Sequence, residues 1–465
     1  MVHEIEFTAA SLVRIATLEA RRGRNDPGRM FPSVEREISA LKAVHSNRRR
    51  ACSQLWDTDE DKARETYASF RPEITGHREA KQKALNDELL ALSVKLSTSI
   101  RDSQFAWGLQ PGPTIRSRPT YRIRRDADGY FAMKQLELNL KRVFRLEAPN
   151  RNQVVAQLVD ALEGRLPRYV LQTDISSYYE SIPHDPLVAL VNTQSGLSKT
   201  STHLITSLLG EWATMTGRRI GLPRGVGLSS YLAEAYARQI DDELTTNPRV
   251  HFYGRYVDDI VLIARSEADR HHVATDLLRR LSELGLELSA PKTRTIDPMP
   301  FTGLPKKNPY ALDRPIEFLG YSISKTMHGG EIAVDISTKT LARYRERLRL
   351  SFDRWAKTVG RSEGHNGLLL DRVKFLTSNT KLANSKDRAV TGIYFNHTAL
   401  STGAPGLAEL DADLTSLIGQ HASTMPKALH KRLLRISFTQ GFATRRFYNY
   451  SQAQLVRIVA VWRGI

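Results

Sequence analysis

The chain has 465 residues, 41% of them apolar, with 68 Lys and Arg against 50 Asp and Glu, so its formal net charge is +18 and its pI about 9.9. That length supplies two or three domain-sized cores, and no apolar run reaches the ~18 residues of a membrane span, so a soluble protein is expected. The cationic excess suits nucleic acid held by counter-ion release, while the single cysteine, Cys52, excludes an internal disulfide and a cysteine-based zinc site and fits a reducing cytoplasm.

The first residues carry acids early and no apolar core ahead of a small-residue cleavage site, so no secretory signal is expected. Residues 1–101 read as a helical extension. Asn25-Asp26-Pro27-Gly28 signals a turn between its first helices. Leu85, Leu89, Leu92 and Leu96 recur at helical spacing, a stripe that can pack within the chain or on a second copy in a homo-oligomer. Arg21, Arg22 and Arg24, then Arg48, Arg49 and Arg50, make basic patches open to solvent or nucleic acid. Gln110-Pro111-Gly112-Pro113 ends the helical pattern and opens a segment, 102–168, in which Tyr121, Ile123 and Tyr130 around Asp126-Ala127-Asp128-Gly129 read as a hairpin.

Two later stretches carry the chemistry. A β-prone run from Tyr169 ends in a lone acid, Asp174, followed by small polar residues and the pair Tyr178-Tyr179. Further on, Val250 to Tyr256 and Ile260 to Ala264 flank Asp258-Asp259, which reads as a hairpin with acids at its turn. The continuous apolar run Ile260 to Ala264 suits a strand buried on both faces, which leaves the acids at the rim of a core. Three carboxylates from separate segments suit Mg2+, which takes hard oxygen ligands, and two such ions serve phosphoryl transfer. The alternative for the aspartate pair is a solvated turn. Gly225 and Gly227 suit a close backbone approach to template or nucleotide ahead of a helix from Ser229 to Leu244. His271-His272 lies in a charged helical segment and is expected to face solvent.

After Ser324 the pattern is helical again. Leu341, Tyr344, Leu348, Phe352 and Trp355 form one stripe, flanked by Arg343, Arg345, Arg347, Arg349 and Arg354. Glycines 360, 364 and 367 mark a loop, and Ser451-Gln-Ala-Gln454 is a capping-box signature before Leu455, Val456, Ile458, Val459 and Trp462.

With these residues in place the sequence resembles the reverse transcriptases. Tyr256-Val257-Asp258-Asp259 is similar to their YxDD motif, Asp174 with Tyr179 to their first palm motif, and Gly221-Leu222-Pro223-Arg224-Gly225 with Ser229-Ser230-Tyr231 to their LPQG…SP motif. Leu286 to Thr293 resembles the lysine-bearing motif, and Ile316 to Tyr321 the primer grip. Within the family, Asp174 to His184 and Leu232 to Leu244 are similar in wording to the bacterial abortive-infection and defence-associated (unknown-group) enzymes, while Val390-Thr391-Gly392 echoes a retron signature out of its usual place.

The resemblance implies an α+β right-hand polymerase: helical extension 1–101, fingers 102–168, palm 169–323, and a helical thumb and C-terminal domain 324–465. It implies that Asp174, Asp258 and Asp259 bind two Mg2+ ions, for which Mn2+ can substitute, with the Ile175 carbonyl completing the shell. Lys292 would protonate the pyrophosphate leaving group. Lys141, Arg145, Arg224 and Gly225 would contact the incoming dNTP, and Tyr179 would exclude a ribose 2′-hydroxyl. Phe318, Leu319, Gly320 and Tyr321 would grip the primer. The family usually has glutamine where this chain has Arg224. The partners implied are an RNA template, which a dedicated non-coding RNA could supply, dNTPs and a DNA product, in antiviral defence. Two alternatives stand beside this: template-independent or protein-primed synthesis, with Tyr448 or Tyr450 as the priming hydroxyl, and a nucleic-acid-binding module with an inactive palm.

Overall fold

The computed structural model describes residues 5–21, 27–53, 55–115, 117–147, 150–164, 166–300, 310–325, 331–358, 364–382 and 389–463. The amino-terminal four residues, Arg22, Arg24, Asn25, Asp26, Ala148, Pro149 and Gly360, on which expectations were placed, lie outside the described residues. The chain forms two compact units, Met1–Pro113 with Pro119–Leu146 and His184–Leu232, and Thr114–Arg118 with Glu147–Pro183 and Ala233–Ile465. Among the described residues no helix is long and apolar enough to cross a membrane.

In the first unit the 31-residue helix Arg71–Arg101 packs along Pro32–Cys52 and Ala9–Arg21. Leu85, Leu89, Leu92 and Leu96 are all buried, so the stripe is consumed within the chain, at about 2 kcal/mol of stabilisation per leucine. Two short strands, β1 (Gln110–Pro111) and β2 (Tyr121–Arg122), pair antiparallel. The hairpin expected at Asp126–Gly129 is instead a helix start. Asp126 accepts the Gly129 N–H at 2.9 Å as the N-cap of helix Ala127–Val143, and Phe131, Leu136 and Leu140 bury along that helix. A short polar side chain before an apolar periodicity caps a helix as readily as it turns a hairpin. The same helix holds the amino-terminal segment through buried amides: Gln135 and Asn139 donate to the Ile5 carbonyl at 3.2 and 3.1 Å.

The second unit is built on β3 (Tyr169–Asp174), β4 (Val250–Tyr256), β5 (Asp259–Ala264) and β6 (Arg294–Ile296), in the order β4-β5-β3-β6 and antiparallel throughout. Ile260 through Ala264 are fully buried, as a strand covered on both faces requires. Helix Glu267–Glu283 covers one face with Val273, Leu277 and Leu281. On the other, Val170, Val261 and Ile263 join Val155 and Leu158 of helix Arg151–Leu162. Strands β7 (Pro298–Pro300) and β8 (Tyr310–Leu312) form a separate ribbon. β9 (Ile316–Phe318), β10 (Tyr321–Lys325) and β11 (Ile332–Ile336) form a three-stranded sheet. The β9–β10 turn is Leu319-Gly320, both at positive φ (48° and 80°), the two-residue geometry that matches strand twist.

The carboxy-terminal helices share one core. Leu341, Tyr344, Leu348, Phe352 and Trp355 of helix Thr338–Ala356 all enter it, as their spacing predicts. Two of the five arginines of the expected basic flank are neutralised by the chain itself: Arg345 pairs with Asp413 and Glu409, and Arg349 with Glu346 and Asp353. The loop expected from the glycines is corrected, because Gly364 and Gly367 lie in helix Gly364–Thr377, whose buried Leu369, Leu370 and Val373 outweigh the glycine cost of about 1 kcal/mol each. The capping box at Ser451 and Gln454 forms as read. Val390-Thr391-Gly392 is strand β13, paired with β12 (Asn379–Lys381), and Gly392 is needed because a Cβ there would lie 2.3 Å from the Ser378 carbonyl oxygen.

Candidate active site

Sheet register brings the acids together. Asp174, the last residue of β3, is the partner of Asp259, the first of β5, and Asp259 faces Tyr256 across the β4–β5 turn. The turn itself is Val257-Asp258. Val257 sits at φ 61°, a left-handed conformation unfavourable for a β-branched side chain, so the surroundings must hold it there. The Ile175 N–H donates to the Asp258 carbonyl at 3.0 Å, the Ser289 N–H to the Asp174 carbonyl at 2.7 Å, and the Ser176 N–H to the Glu287 carbonyl at 2.8 Å. These bonds tie the end of β3 to the aspartate turn on one side and to the segment of Lys292 on the other.

Arg255 supplies the restraint on the turn. Its side chain is 4% exposed, its Nη1 donates to the Val257 carbonyl at 2.9 Å, and its remaining donors reach Glu234 and Asp241 at 2.6 to 3.2 Å. Burial disfavours its charge, but the hydrogen-bonded Asp241 and Glu234 outweigh that and raise its pKa. Both acids lie on helix Gly227–Thr246, seven residues apart and so two turns along one face. None of the three was singled out in the sequence, although Arg255 stands three residues before Asp258 and its two acids share a helical face.

The electrostatics are those of crowded negative charge. Burial raises the pKa of Asp259 to about 6, reinforced by Asp258 and Asp174 and opposed by Lys292 and Lys339. Burial also raises that of Asp258, with Asp174 adding to it. Lys292 Nζ donates to Asp174 Oδ2 at 2.6 Å from a half-exposed position on the short turn Ala290–Lys292. Among the described residues no group of three or more His, Cys, Asp or Glu side chains is gathered so that it could hold a metal ion. The carboxylate oxygens of Asp174 and of the Asp258-Asp259 pair are donors of the kind Mg2+ takes, since that ion uses one or two carboxylates and fills its shell with water and phosphate.

Asp174, Asp259 and Lys292 open onto a cleft of about 1140 Å³, whose far wall includes Lys339, Arg343 and Arg347. Leu319 and Gly320 of the expected primer grip line it, while Phe318 and Tyr321 are buried beneath. Arg151 fixes that turn by donating to the Leu319 carbonyl at 2.6 Å, and Gln172 of β3 donates to the Glu317 carbonyl at 2.5 Å. Neither was foreseen. Tyr179 follows on the short helix Tyr178–Ser181, half-buried and edge-on to Tyr178, whose hydroxyl donates to the Ala233 carbonyl.

Lys141, Arg145, Arg224 and Gly225 belong to the first unit. Lys141 and Arg145 are exposed at the end of helix Ala127–Val143. Gly225, at φ 96°, comes close to its own chain: a Cβ would stand 2.9 Å from the Tyr121 carbonyl oxygen, and at Gly227 one would stand 2.1 Å from Glu137 Oε1. Tyr121 and Glu137 thus lie close against these two glycines. His271 and His272 are exposed, as expected. Tyr450, read as an exposed priming candidate, is buried, its hydroxyl donating to the Asp371 carbonyl at 3.2 Å and its pKa raised by burial and by Asp371. Tyr448 is half-buried beneath Lys374, 4.7 Å from its ring.

Residues 132–323 match the protein-family model described as Reverse transcriptase (RNA-dependent DNA polymerase). The span contains Asp174, Asp258, Asp259, Lys292 and the β9–β10 turn. Over that span the chain is similar to reverse transcriptases. No curated protein matches it. Solved structures similar to it include telomerase from Candida albicans in complex with the TWJ fragment of telomeric RNA, at 12% identity and TM-score 0.33, covering 71% of this chain and 54% of that one. Apo telomerase from Candida tropicalis is similar at 12% identity and TM-score 0.37, covering 80% and 68%, and its form truncated from the C-terminal domain at 10% and 0.32, covering 58% and 71%. The chain thus spans about half the length of the first of these. Likenesses this loose carry no functional weight.

Proposed function

We propose that the chain is an RNA-directed DNA polymerase that extends a 3′-hydroxyl with dNTPs, its β3–β6 sheet serving as the palm, its carboxy-terminal helices as the thumb, and residues 102–168 as fingers. The observation that carries this reading is the register of Asp174 opposite Asp259, with Asp258 tied to Ile175, inside the span that matches the family. Asp174, Asp258 and Asp259, with the Ile175 carbonyl, would hold two Mg2+ ions, or Mn2+. When bound, such ions supply positive charge for activating the attacking hydroxyl and easing departure of the leaving group.

The chain's own groups do the rest. Lys292, on a flexible stem beside Asp174, is the acid for the leaving pyrophosphate. The turn Leu319-Gly320 positions the primer end within the same cleft. Tyr179 occupies the space of a ribose 2′-hydroxyl, and Lys141, Arg145, Arg224 and Gly225 are assigned to nucleotide binding on the motif match alone. The cellular setting we assign, on the wording of 174–184 and 232–244, is antiviral defence in a bacterial cytoplasm, with a dedicated non-coding RNA as template. The burial of Tyr450 weighs against its use as a protein primer.

The test is labelled-dNTP incorporation on a primed RNA template with Mg2+, comparing wild type with the Asp258→Ala, Asp259→Ala double variant, each stripped of bound nucleic acid. Template-dependent DNA from wild type alone supports the reading. DNA made without template points to terminal synthesis, and equal incorporation by the double variant overturns the site. Retained RNA binding with no synthesis by either protein favours the binding module.

A further inference from the structure

The strands that carry the aspartates at one end carry basic side chains at the other. β3 begins after Arg168, β4 begins at Val250 beside His251, and β5 ends before Arg265. These basic side chains stand roughly 20 Å from the acids, at about 3.3 Å per strand residue. The register ends with Tyr169 opposite Ala264, so Arg168 and Arg265 are the residues that flank this end of the two paired strands, and like charges near one another repel. His251 falls in the register shift between Val250 and Phe252, an irregularity of the kind that re-aims a side chain. Arg168, His251 and Arg265, with Leu166 and Pro167, line a cavity of about 350 Å³.

Arg168 is the residue that calls for a ligand. It is 8% exposed, its buried Nε has no hydrogen-bond partner, and none of the described carboxylates pairs with it. A desolvated arginine without a counter-ion is unfavourable. Its field is visible nearby: burial first, then Arg168, pushes Lys325 down to about 8, and burial with Arg168 and Arg265 lowers His251. Lys325 does not share the cavity. It donates to the carbonyls of Leu162 and Gly164 and lies over the Tyr310 ring, and exposed Glu163 partly offsets its charge loss. The planar fork of a guanidinium takes phosphate oxygens in pairs, which matches two arginines and an imidazole.

We propose that Arg168, His251 and Arg265 form a phosphate-binding site at the end of the sheet remote from Asp174, Asp258 and Asp259. Its ligand is a phosphate group, supplied by a polynucleotide backbone or by a free phosphate compound. The site stands apart from the polymerase reading, since its charge and shape do not depend on what the aspartates do.

The test uses the full chain in EDTA, so that no divalent ion occupies the aspartates. One arm measures the thermal midpoint in inorganic phosphate against chloride at equal ionic strength; the other measures binding of a short single-stranded RNA as a function of salt. Wild type should gain about 3 °C in phosphate. Arg265→Gln and His251→Gln, both at exposed positions, should lose that gain. Arg265→Gln should also flatten the log–log salt slope for RNA by about 0.7 if a strand phosphate is the ligand. Loss of the gain with an unchanged slope assigns the site to a free phosphate compound. Variants that match wild type in both arms overturn the proposal. Arg168→Met should melt no lower than wild type in chloride, because an unpaired buried charge has gone; a lower midpoint there would make Arg168 structural and remove it from the site.

Discussion

Lys292 and Asp174 are 118 residues apart in sequence and joined by a 2.6 Å contact from Nζ to Oδ2. The ammonium sits where a cation is wanted, and it must leave that oxygen if the carboxylate is to hold a metal ion. Lys292→Met is expected to raise the affinity for Mn2+, read by electron paramagnetic resonance, while slowing nucleotide incorporation about 100-fold, the ordinary contribution of a general acid. Undiminished incorporation would remove Lys292 from the acid's role.

Arg255 is expected to matter for both stability and synthesis. Arg255→Gln leaves Glu234 and Asp241 without their buried partner and should cost about 3–5 kcal/mol in urea unfolding. Arg255→Lys keeps the charge but lacks the fork that reaches the Val257 carbonyl as well as both acids. It should recover part of the stability and little of the DNA synthesis. Full synthesis in Arg255→Lys would show that the strained turn needs no such tether.

His397 provides a pH dependence. It is buried between Tyr321 and Tyr344, its Nδ1 lacks a partner, and burial, with Arg151 nearby, lowers its pKa from 6.5 to about 3. Between these values the unfolded chain binds a proton that the folded chain refuses. The contribution of neutral His397 is therefore intact above pH 6.5 and is lost as pH falls toward 3, at up to about 1.4 kcal/mol per pH unit. Urea unfolding of wild type and His397→Phe at pH 7, 6 and 5 measures it. The wild type should lose stability faster on acidification, and parallel curves would place the titration elsewhere.

The carboxy-terminal tyrosines are expected to be structural. Tyr450→Phe removes the hydroxyl from the Asp371 carbonyl and should cost about 1 kcal/mol, with DNA yield unchanged and product free of protein after denaturation. The same holds for product from Tyr448→Phe. Product that migrates with protein until proteolysis, and that disappears in either variant, would restore protein priming.

Local pattern by itself determined much of this protein. The apolar run Ile260 to Ala264, the acid ending the run from Tyr169, the stripe from Leu341 to Trp355 and the capping box at Ser451 are each written in a few consecutive residues, because strand and helix periodicity and capping are short-range effects. They were enough to propose which three aspartates belong together. Where two local readings compete, the sequence alone did not choose: Asp126 caps a helix rather than turning a hairpin, and Gly364 and Gly367 are carried inside a helix by the leucines around them. The tertiary structure decided what depends on chain closure over long separations. Arg255 meets acids two turns apart on another element, Arg151 holds a turn 168 residues away, Lys292 rests on Asp174, and strand order brings Arg168 and Arg265 to one end of the sheet. Such pairings follow from which strands neighbour each other and in what register, and a register is a property of two distant segments at once, which no single window of sequence contains.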